Sequence, residues 1–296
     1  MNIPEPQKDE LDRGLLGRIR IVNHIDSEKQ TLDSLQRSFF SANCNGPRHP
    51  PLLAQATRMP LDRFVIKHTL APFHFAFSDA SSMEHSASIN FYLQNWYGIK
   101  RPITTANFCS LCARGDLHSL GYSYWRRSHH LPGVNYCPTH SIQLKIASRL
   151  APFSNMPHSY IEQSETQTSI SQENLVIRRY GNFCQQLLSR SAPVNSNHLK
   201  RSVGRWISRM GLYSGNRGSS RSTLADVASQ VLPTKWLIQN FSGDYPRSGR
   251  HHLGLINRIA KKSERVPAQH YALAMALIAS PEAQKAARIL VTEMSM

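Results

Sequence analysis

The sequence predicts a mainly α-helical protein organised around a small metal-bound module. Three observations carry that expectation. Apolar residues recur at helical spacing through both ends of the chain. A C-x-x-C pair, Cys109 and Cys112, is answered after 24 intervening residues by a C-x-x-H pair, Cys137 and His140. The 296 residues hold 35 Lys and Arg against 19 Asp and Glu, a formal net charge of +16. The expected order is a helical N-terminal domain over residues 1–98, a zinc-binding ribbon or knuckle over 99–150, a linker over 151–173 and a helical C-terminal domain over 174–296.

A charge excess of this size is tolerated most readily when a polyanion neutralises it, and DNA or RNA is the usual one. An anionic membrane is the competing partner. No stretch resembles a membrane span, the longest apolar run being Tyr271 to Ala279, and no signal peptide opens the chain. Nucleic acid is therefore favoured and a membrane is not. Five cysteines are too few and too unevenly spaced for a disulfide scaffold. With three assigned to metal, Cys44 and Cys184 remain, and such thiols fit a reducing cytoplasm.

Residues 1–10 are polar. Leu11 to Ile25 sets Leu15, Leu16, Ile19, Val22 and Ile25 at helical spacing. A second helix is expected from Thr31, with Leu32, Leu35, Phe39 and Phe40 inward. Asn43 to Pro51 reads as a loop from its Asn, Gly and Pro content. Leu52 to Ala56 makes a short helix, Thr57-Arg58-Met59 a turn, and Pro60 opens the next helix, where its missing N–H loses no partner. Leu61, Phe64, Val65 and His68 share one face there. Short helix, turn and second helix is equally the pattern of a helix-turn-helix and of an ordinary helical hairpin. Ser86 to Tyr97 is a further helix, whose Ile89, Tyr92, Leu93 and Trp96 read as core rather than as a base-stacking platform.

Each ligand pair places two soft donors about one turn apart, so both reach one ion. Three thiolates and an imidazole complete a tetrahedral shell for one Zn²⁺, with Zn–S near ~2.3 Å and no position open for a substrate water. The metal is then structural, and its folding contribution large, since zinc-finger peptides bind with about 10–16 kcal/mol at neutral pH. A thioredoxin-like redox pair and unrelated buried thiols are the alternatives. No strand-then-helix context is apparent around the first pair, and the second pair supplies the missing ligands. His118, His129 and His130 are spare imidazoles outside the C-x-x-H spacing. Trp125 is expected to pack over the metal. Arg126 and Arg127 are expected to fork onto phosphate, with a salt bridge to a neighbouring domain as the alternative.

Ala151 to Glu173 has no clear period and reads as linker. Asn174 to Arg190 resumes a helix through Leu175, Val176, Tyr180, Phe183, Leu187 and Leu188, with Cys184 as a buried small hydrophobe. His198 to Leu212 is the most two-faced helix. Leu199, Val203, Trp206, Ile207 and Met210 form its apolar side, and Arg201, Arg205 and Arg209 recur every four residues on another. Like charges at that spacing cost a few tenths of a kcal/mol per pair, roughly, so an anion along the stripe explains it better than a bare solvated face. Lys200, Arg217 and Arg221 add charge, and no acidic residue falls between His198 and Thr223. The Gly215 to Ser220 segment lacks the Gly-Lys-Ser/Thr ending of a P-loop. Ser222 is expected to cap a helix to about Gln230, Leu232-Pro233 breaks it, and Thr234 caps Lys235 to Phe241. That is a second helix-turn-helix candidate, on which Lys235, Gln239 and Asn240 are the DNA-facing positions, since Gln and Asn read adenine. Tyr271 to Ala279 is a buried helix, and Ser280 with Pro281 starts the last one.

Several of these motifs together resemble the TniQ family, which includes the TnsD proteins. The residues are Cys109-x-x-Cys112, Tyr124-Trp125-Arg126-Arg127, His129-His130-Leu131-Pro132-Gly133-Val134, Cys137-Pro138-x-His140 and Leu144. Leu52 to Leu70 resembles the N-terminal helical part of such proteins, which favours a helix-turn-helix there. His198 to Ala279, with Gly211-Leu212, Trp236-Leu237 and His270, is similar to the C-terminal region of TnsD-type proteins. Many relatives carry a second cysteine pair after the first; here only Cys184 follows, so one zinc ion is expected. The resemblance implies a target-site selector of transposition that binds double-stranded DNA at an attachment site. It would recruit a TnsC-type AAA+ ATPase and, through it, transposase subunits. Other members ride on a CRISPR Cascade complex and use its guide RNA. The implied setting is the bacterial cytoplasm, on the nucleoid, and a homodimer is compatible with it.

Enzymatic signatures are missing from the sequence: no Walker A, H-E-x-x-H, G-x-S-x-G or zinc-deaminase motif, and no carboxylate cluster of the kind a metal-dependent nuclease needs. A zinc-containing transcription regulator is the remaining alternative to the adaptor.

Overall fold

The computed structural model describes residues 1–39, 49–78, 105–148, 151–162, 165–166, 174–213, 222–241, 254–260 and 266–293. Among the described residues the fold is mainly helical, as expected, with thirteen helices and five strands of two to four residues. The order is α1 (Asp12–Val22), α2 (Glu28–Phe39), α3 (His49–Ala56), α4 (Leu61–His68), α5 (Ala71–His74), β1 (Phe77–Ser78), β2 (Thr105–Phe108), α6 (Ser110–Leu120), β3 (Lys145–Ser148), β4 (Glu165–Thr166), α7 (Leu175–Leu188), β5 (Val194–Asn195), α8 (Ser196–Arg209), α9 (Leu224–Val231), α10 (Thr234–Phe241), α11 (Gly254–Arg258), α12 (Ala268–Ile278) and α13 (Pro281–Glu293). No helix among the described residues is long and apolar enough to cross a membrane. The expected helix over Ser86 to Tyr97, and Cys44, lie outside the described residues.

The chain divides into two compact units. Met1–Pro72, Met83–Leu131 and Asn135–Gln167 form the first; Phe73–Ser82, Pro132–Val134 and Thr168–Met296 form the second.

In the first unit, α1 buries Leu15, Leu16 and Ile19 against Leu35 of α2, Leu52 and Leu53 of α3 and Phe64 of α4. The helix stops at Val22, short of Ile25, because Asn23 caps it and His24 takes φ 53°. Helix α2 begins at Glu28, three residues before the expected Thr31. The Ser27 hydroxyl accepts the Gln30 amide at 3.2 Å and supplies the cap. Helix α3 begins at His49, inside the stretch read as a loop. Pro50 and Pro51 occupy its first turn, where an N–H would have no helical partner anyway. Between α3 and α4 the Met59 amide reaches back to the Ala54 carbonyl at 2.9 Å, with Arg58 at φ 55°. Phe64, Val65 and His68 are buried on α4, while Asp62, Arg63 and Lys67 face out.

A second core lies across α1. Leu11, Phe108, Trp125, Phe153 and Tyr160 pack together there. Glycine is what lets α1 approach: a Cβ on Gly14 would sit 2.7 Å from Trp125 Cβ, and one on Gly17 only 1.9 Å from the Phe153 carbonyl oxygen. Phe153 and Tyr160 belong to a stretch expected to begin the linker. Residues 151–162 instead form two 3-10 turns, Pro152–Ser154 and Pro157–Tyr160, and bury both rings. Turns this short leave no apolar period in the sequence to read.

Asp12, in the first turn of α1, is 1% exposed and its Oδ2 has no hydrogen-bond partner. Burial pushes its carboxyl up to about 7. Between roughly pH 4 and 7 the folded chain then holds a proton that the unfolded chain has released, so stability falls as pH rises through that window. Wild type should therefore lose roughly 2 kcal/mol relative to Asp12→Asn between about pH 5 and 8, read from urea midpoints. Parallel pH profiles for the two proteins would refute the assignment.

In the second unit, the Asn174 side chain caps α7 by accepting the amides of Val176 and Ile177 at 3.0 and 3.1 Å. Val176, Ile177, Tyr180, Cys184, Leu187 and Leu188 form its buried face; Leu175, expected inward, is exposed in the first turn. Cys184 is fully buried, and burial pushes its thiol up to about 12, which leaves it a small hydrophobe. Helix α12, buried on nearly every side, packs on α7, α8, α11 and α13. Helix α9 is capped by Thr223, not Ser222. The Thr223 hydroxyl and the Asp226 carboxylate form a reciprocal capping box, while Ser222 Oγ turns to the Leu290 carbonyl at 3.4 Å.

Candidate metal centre and nucleic-acid interface

Strand register brings the two ligand pairs together. In the antiparallel ladder of β2 and β3, Phe108 lies opposite Lys145. Cys109, just after β2, therefore meets the hairpin that leads into β3. That hairpin is closed by the Cys137 amide on the Ile142 carbonyl at 2.9 Å and the Leu144 amide on the Asn135 carbonyl at 2.8 Å. Cys109 is also the N-cap of α6, its Sγ accepting the Cys112 amide at 3.4 Å. Across the hairpin turn, Cys137 Sγ accepts the His140 amide at 3.4 Å, and Ser141 at φ 53° turns the chain back. Both thiols of the first pair thus lie at a helix N-terminus, where the macrodipole favours negative charge.

The four ligand atoms lie within 4.8 Å of one another. His140 Nδ1 is 3.4 Å from Cys109 Sγ, 3.3 Å from Cys112 Sγ and 3.6 Å from Cys137 Sγ, and Cys112 Sγ is 3.6 Å from Cys137 Sγ. Tetrahedral zinc with Zn–S near ~2.3 Å and Zn–N near ~2.0 Å has ligand–ligand edges of about 3.5–3.8 Å. The set therefore fits a zinc ion, and it fits no disulfide, since the three thiols are free. The cysteines are buried and His140 is exposed. Hydrogen bonds from Cys109 and Cys112 hold the Cys137 thiol far below its usual range, with the buried imidazole of His129 adding to the effect. The bond to Cys109 pushes Cys112 far above its range. A cation at the centre of the cluster favours the thiolate form of all three sulfurs. A divalent ion displaces the remaining protons, so its binding is coupled to proton release.

Three expectations change here. The first pair does stand between a strand and a helix, the context of a redox pair; what separates it is that Cys137 and His140 complete a four-atom shell around it. Trp125 packs beside Phe108 at 5.9 Å and Phe153 at 5.4 Å between ring centroids, in the neighbouring core rather than over the ligands. Arg126 and Arg127 are committed to internal partners. Arg126 forks onto both oxygens of Asp116 at 2.7 Å and lies over the Tyr124 ring. Arg127 pairs with Asp9 at 2.8 Å and donates to the carbonyls of Ile66 and Thr69. An acid 118 residues away in the chain offers no local signal of this pairing. His130 is likewise spoken for. Its Nδ1 donates to the Arg126 carbonyl, its Nε2 accepts the Asn107 amide, and burial drives its pKa down to about 4.

The basic helix α8 is capped by Asn195, whose side chain accepts the Asn197 amide. It buries Val203, Trp206 and Ile207 and exposes Arg201, Arg205 and Arg209, as its pattern requires. Lys200, grouped with the arginines by sequence, is only 2% exposed, because it falls one residue towards the buried side. On α10, Lys235 and Gln239 are exposed, whereas Asn240 turns back to donate to the Trp236 carbonyl at 2.8 Å. Arg217 and Arg221 lie outside the described residues.

The chain is mainly helical among its described residues, and its knuckle gathers three cysteines and one histidine into a set able to hold a metal ion such as zinc. Residues 2–144, just under half of the chain, match the TniQ family model. The match ends on Leu144, the last residue of the knuckle hairpin. The chain is also similar to the transposon Tn7 transposition protein TnsD of Escherichia coli, with 27% identity over 153 residues. That alignment covers 47% of this chain and 30% of TnsD. The chain thus spans less than a third of that relative.

Proposed function

We propose that the protein selects the target of a transposition reaction. It binds double-stranded DNA directly at an attachment site and recruits a TnsC-type AAA+ ATPase, which brings the transposase subunits. One observation carries this reading. A TniQ-family region that ends on the metal knuckle shares its chain with a helix that exposes three arginines and contains no acidic residue. The metal is a structural zinc, and the protein catalyses no reaction. Its work is binding: the arginines neutralise phosphates and release counterions, which gives an affinity that falls steeply with salt. The α3–α4 and α9–α10 pairs are the two helix-turn-helix units, and base reading falls to Lys235 and Gln239 of the second. The protein acts in the bacterial cytoplasm, on the nucleoid.

The test uses the whole chain with its zinc counted, duplexes from the flanks of insertion sites, and a TnsC-type ATPase with its transposase. A footprint at the insertion flank that retains the ATPase is the expected result. Retention only with a guide-RNA complex would replace direct reading by the Cascade-bound mode. A footprint that ignores the ATPase would make the protein a transcription regulator.

A further inference from the structure

We propose that one face of α8 forms a groove that seats a single phosphodiester strand of the duplex, gripping the backbone without reading bases. This rests on the DNA-binding reading above and assigns that helix its part in it. The groove measures about 620 Å³ and is lined by Asn197, Lys200, Arg201, Gly204, Arg205 and Ser208 of α8, with Ala260 just beyond α11. Positions 197, 201, 204, 205 and 208 follow one helix face. Among the described residues its lining offers guanidinium, amide and hydroxyl donors and no carboxylate.

Three features select a strand over other ligands. First, Arg201, Arg205 and Arg209 extend the charge over about 12 Å of helix, which suits a chain of phosphates better than one anion. Second, the surface is concave. A base edge lies at the floor of a DNA groove and needs a protruding helix to reach it, whereas a concave surface receives the ridge of the backbone. Arg201 agrees with this, since its guanidinium lies along its own helix, on the Asn197 carbonyl at 3.3 Å and His198 Nδ1 at 3.1 Å. Third, Gly204 sits mid-helix where packing does not demand glycine. A Cβ there would only touch Ala260 Cβ at 3.7 Å. Glycine at such a position destabilises a helix relative to alanine, and an open groove floor against an approaching backbone accounts for it.

The test is duplex binding by the full zinc-loaded chain, measured by fluorescence anisotropy from low to moderate NaCl, with two duplexes of about 30 base pairs of unrelated sequence. Gly204→Leu fills the groove and leaves the charge unchanged; it should weaken both duplexes about 10-fold with the thermal transition intact. Arg201→Ala with Arg205→Ala should lower the log–log salt slope by about 2, equally for both. Wild-type affinity in Gly204→Leu would overturn the groove and leave only general attraction. A loss confined to one sequence would overturn backbone recognition in favour of base reading. A wild-type chain that binds neither duplex at low salt would instead remove the DNA-binding reading itself.

Discussion

Cys137→Ala is expected to release the metal and melt the knuckle hairpin with it. Cys137 belongs to the candidate ligand set, accepts the His140 amide, and stands at the base of the turn whose amide and carbonyl close the hairpin. Beyond the cysteines, the buried cluster at this site has, among the described residues, only Leu144, with Ile142 packed against it. So small an apolar group cannot hold the turn alone. Metal binding, worth about 10–16 kcal/mol in zinc-finger peptides, outweighs what those two side chains can contribute. Zinc content should fall from one per chain to none. The melting temperature should drop by about 10 °C or more, since β2 and β3 tie the hairpin to the Trp125 core. Elemental analysis and thermal denaturation check both parts, and a chelator should reproduce the shift in wild type. Cys184→Ala supplies the control, because that thiol lies in the other unit and should leave the zinc in place. Unchanged melting after complete zinc removal would show that the knuckle is held by packing.

Arg18→Met should be the next most damaging change. Arg18 and Glu10 are 4% and 0% exposed and meet in a two-point pair, Nε to Oε1 at 2.9 Å and Nη2 to Oε2 at 2.8 Å. Gln7 donates its amide to the same carboxylate, and Arg18 reaches the Glu5 carbonyl. Removing the cation strands a buried carboxylate, a loss of about 3–5 kcal/mol. Burial already pushes the Glu10 pKa up against the pull of Arg18. Without Arg18 it rises further, so the penalty grows as pH climbs above the unfolded carboxyl pKa and shrinks as pH falls. Urea midpoints should therefore separate wild type and variant more at pH 8 than at pH 5 (roughly, from the ordinary carboxyl range). Adding Glu10→Leu should recover most of the loss, since a matched apolar pair can replace a buried ion pair. Equal destabilisation in the single and double variants would mean that lost packing, not a stranded charge, is the cause.

Much of this molecule can be read without coordinates. Ligand identity at Cys109, Cys112, Cys137 and His140 follows from two short spacings, because each pair is local and its geometry is set by one turn of chain. The exposed stripe of Arg201, Arg205 and Arg209 follows from helical periodicity alone. Caps are harder to place: Thr223 rather than Ser222 holds α9, a choice made by the reciprocal bond with Asp226. Arg126 and Arg127 cannot be placed from spacing, since Asp116 and Asp9 claim them through pairings that the folded chain creates. Lys200 shows the same limit within one helix, where a single position separates an exposed arginine from a buried lysine.

The sequence by itself determined the helical class, the candidate metal ligands and the basic face of α8, because each depends on residues within a few positions of one another. Tertiary structure alone decided which charges remain available, that residues 151–162 belong to a core, and that α8 has a groove beside its arginines. Those outcomes depend on which distant side chains and backbones come within bonding distance, and chain spacing does not encode that distance.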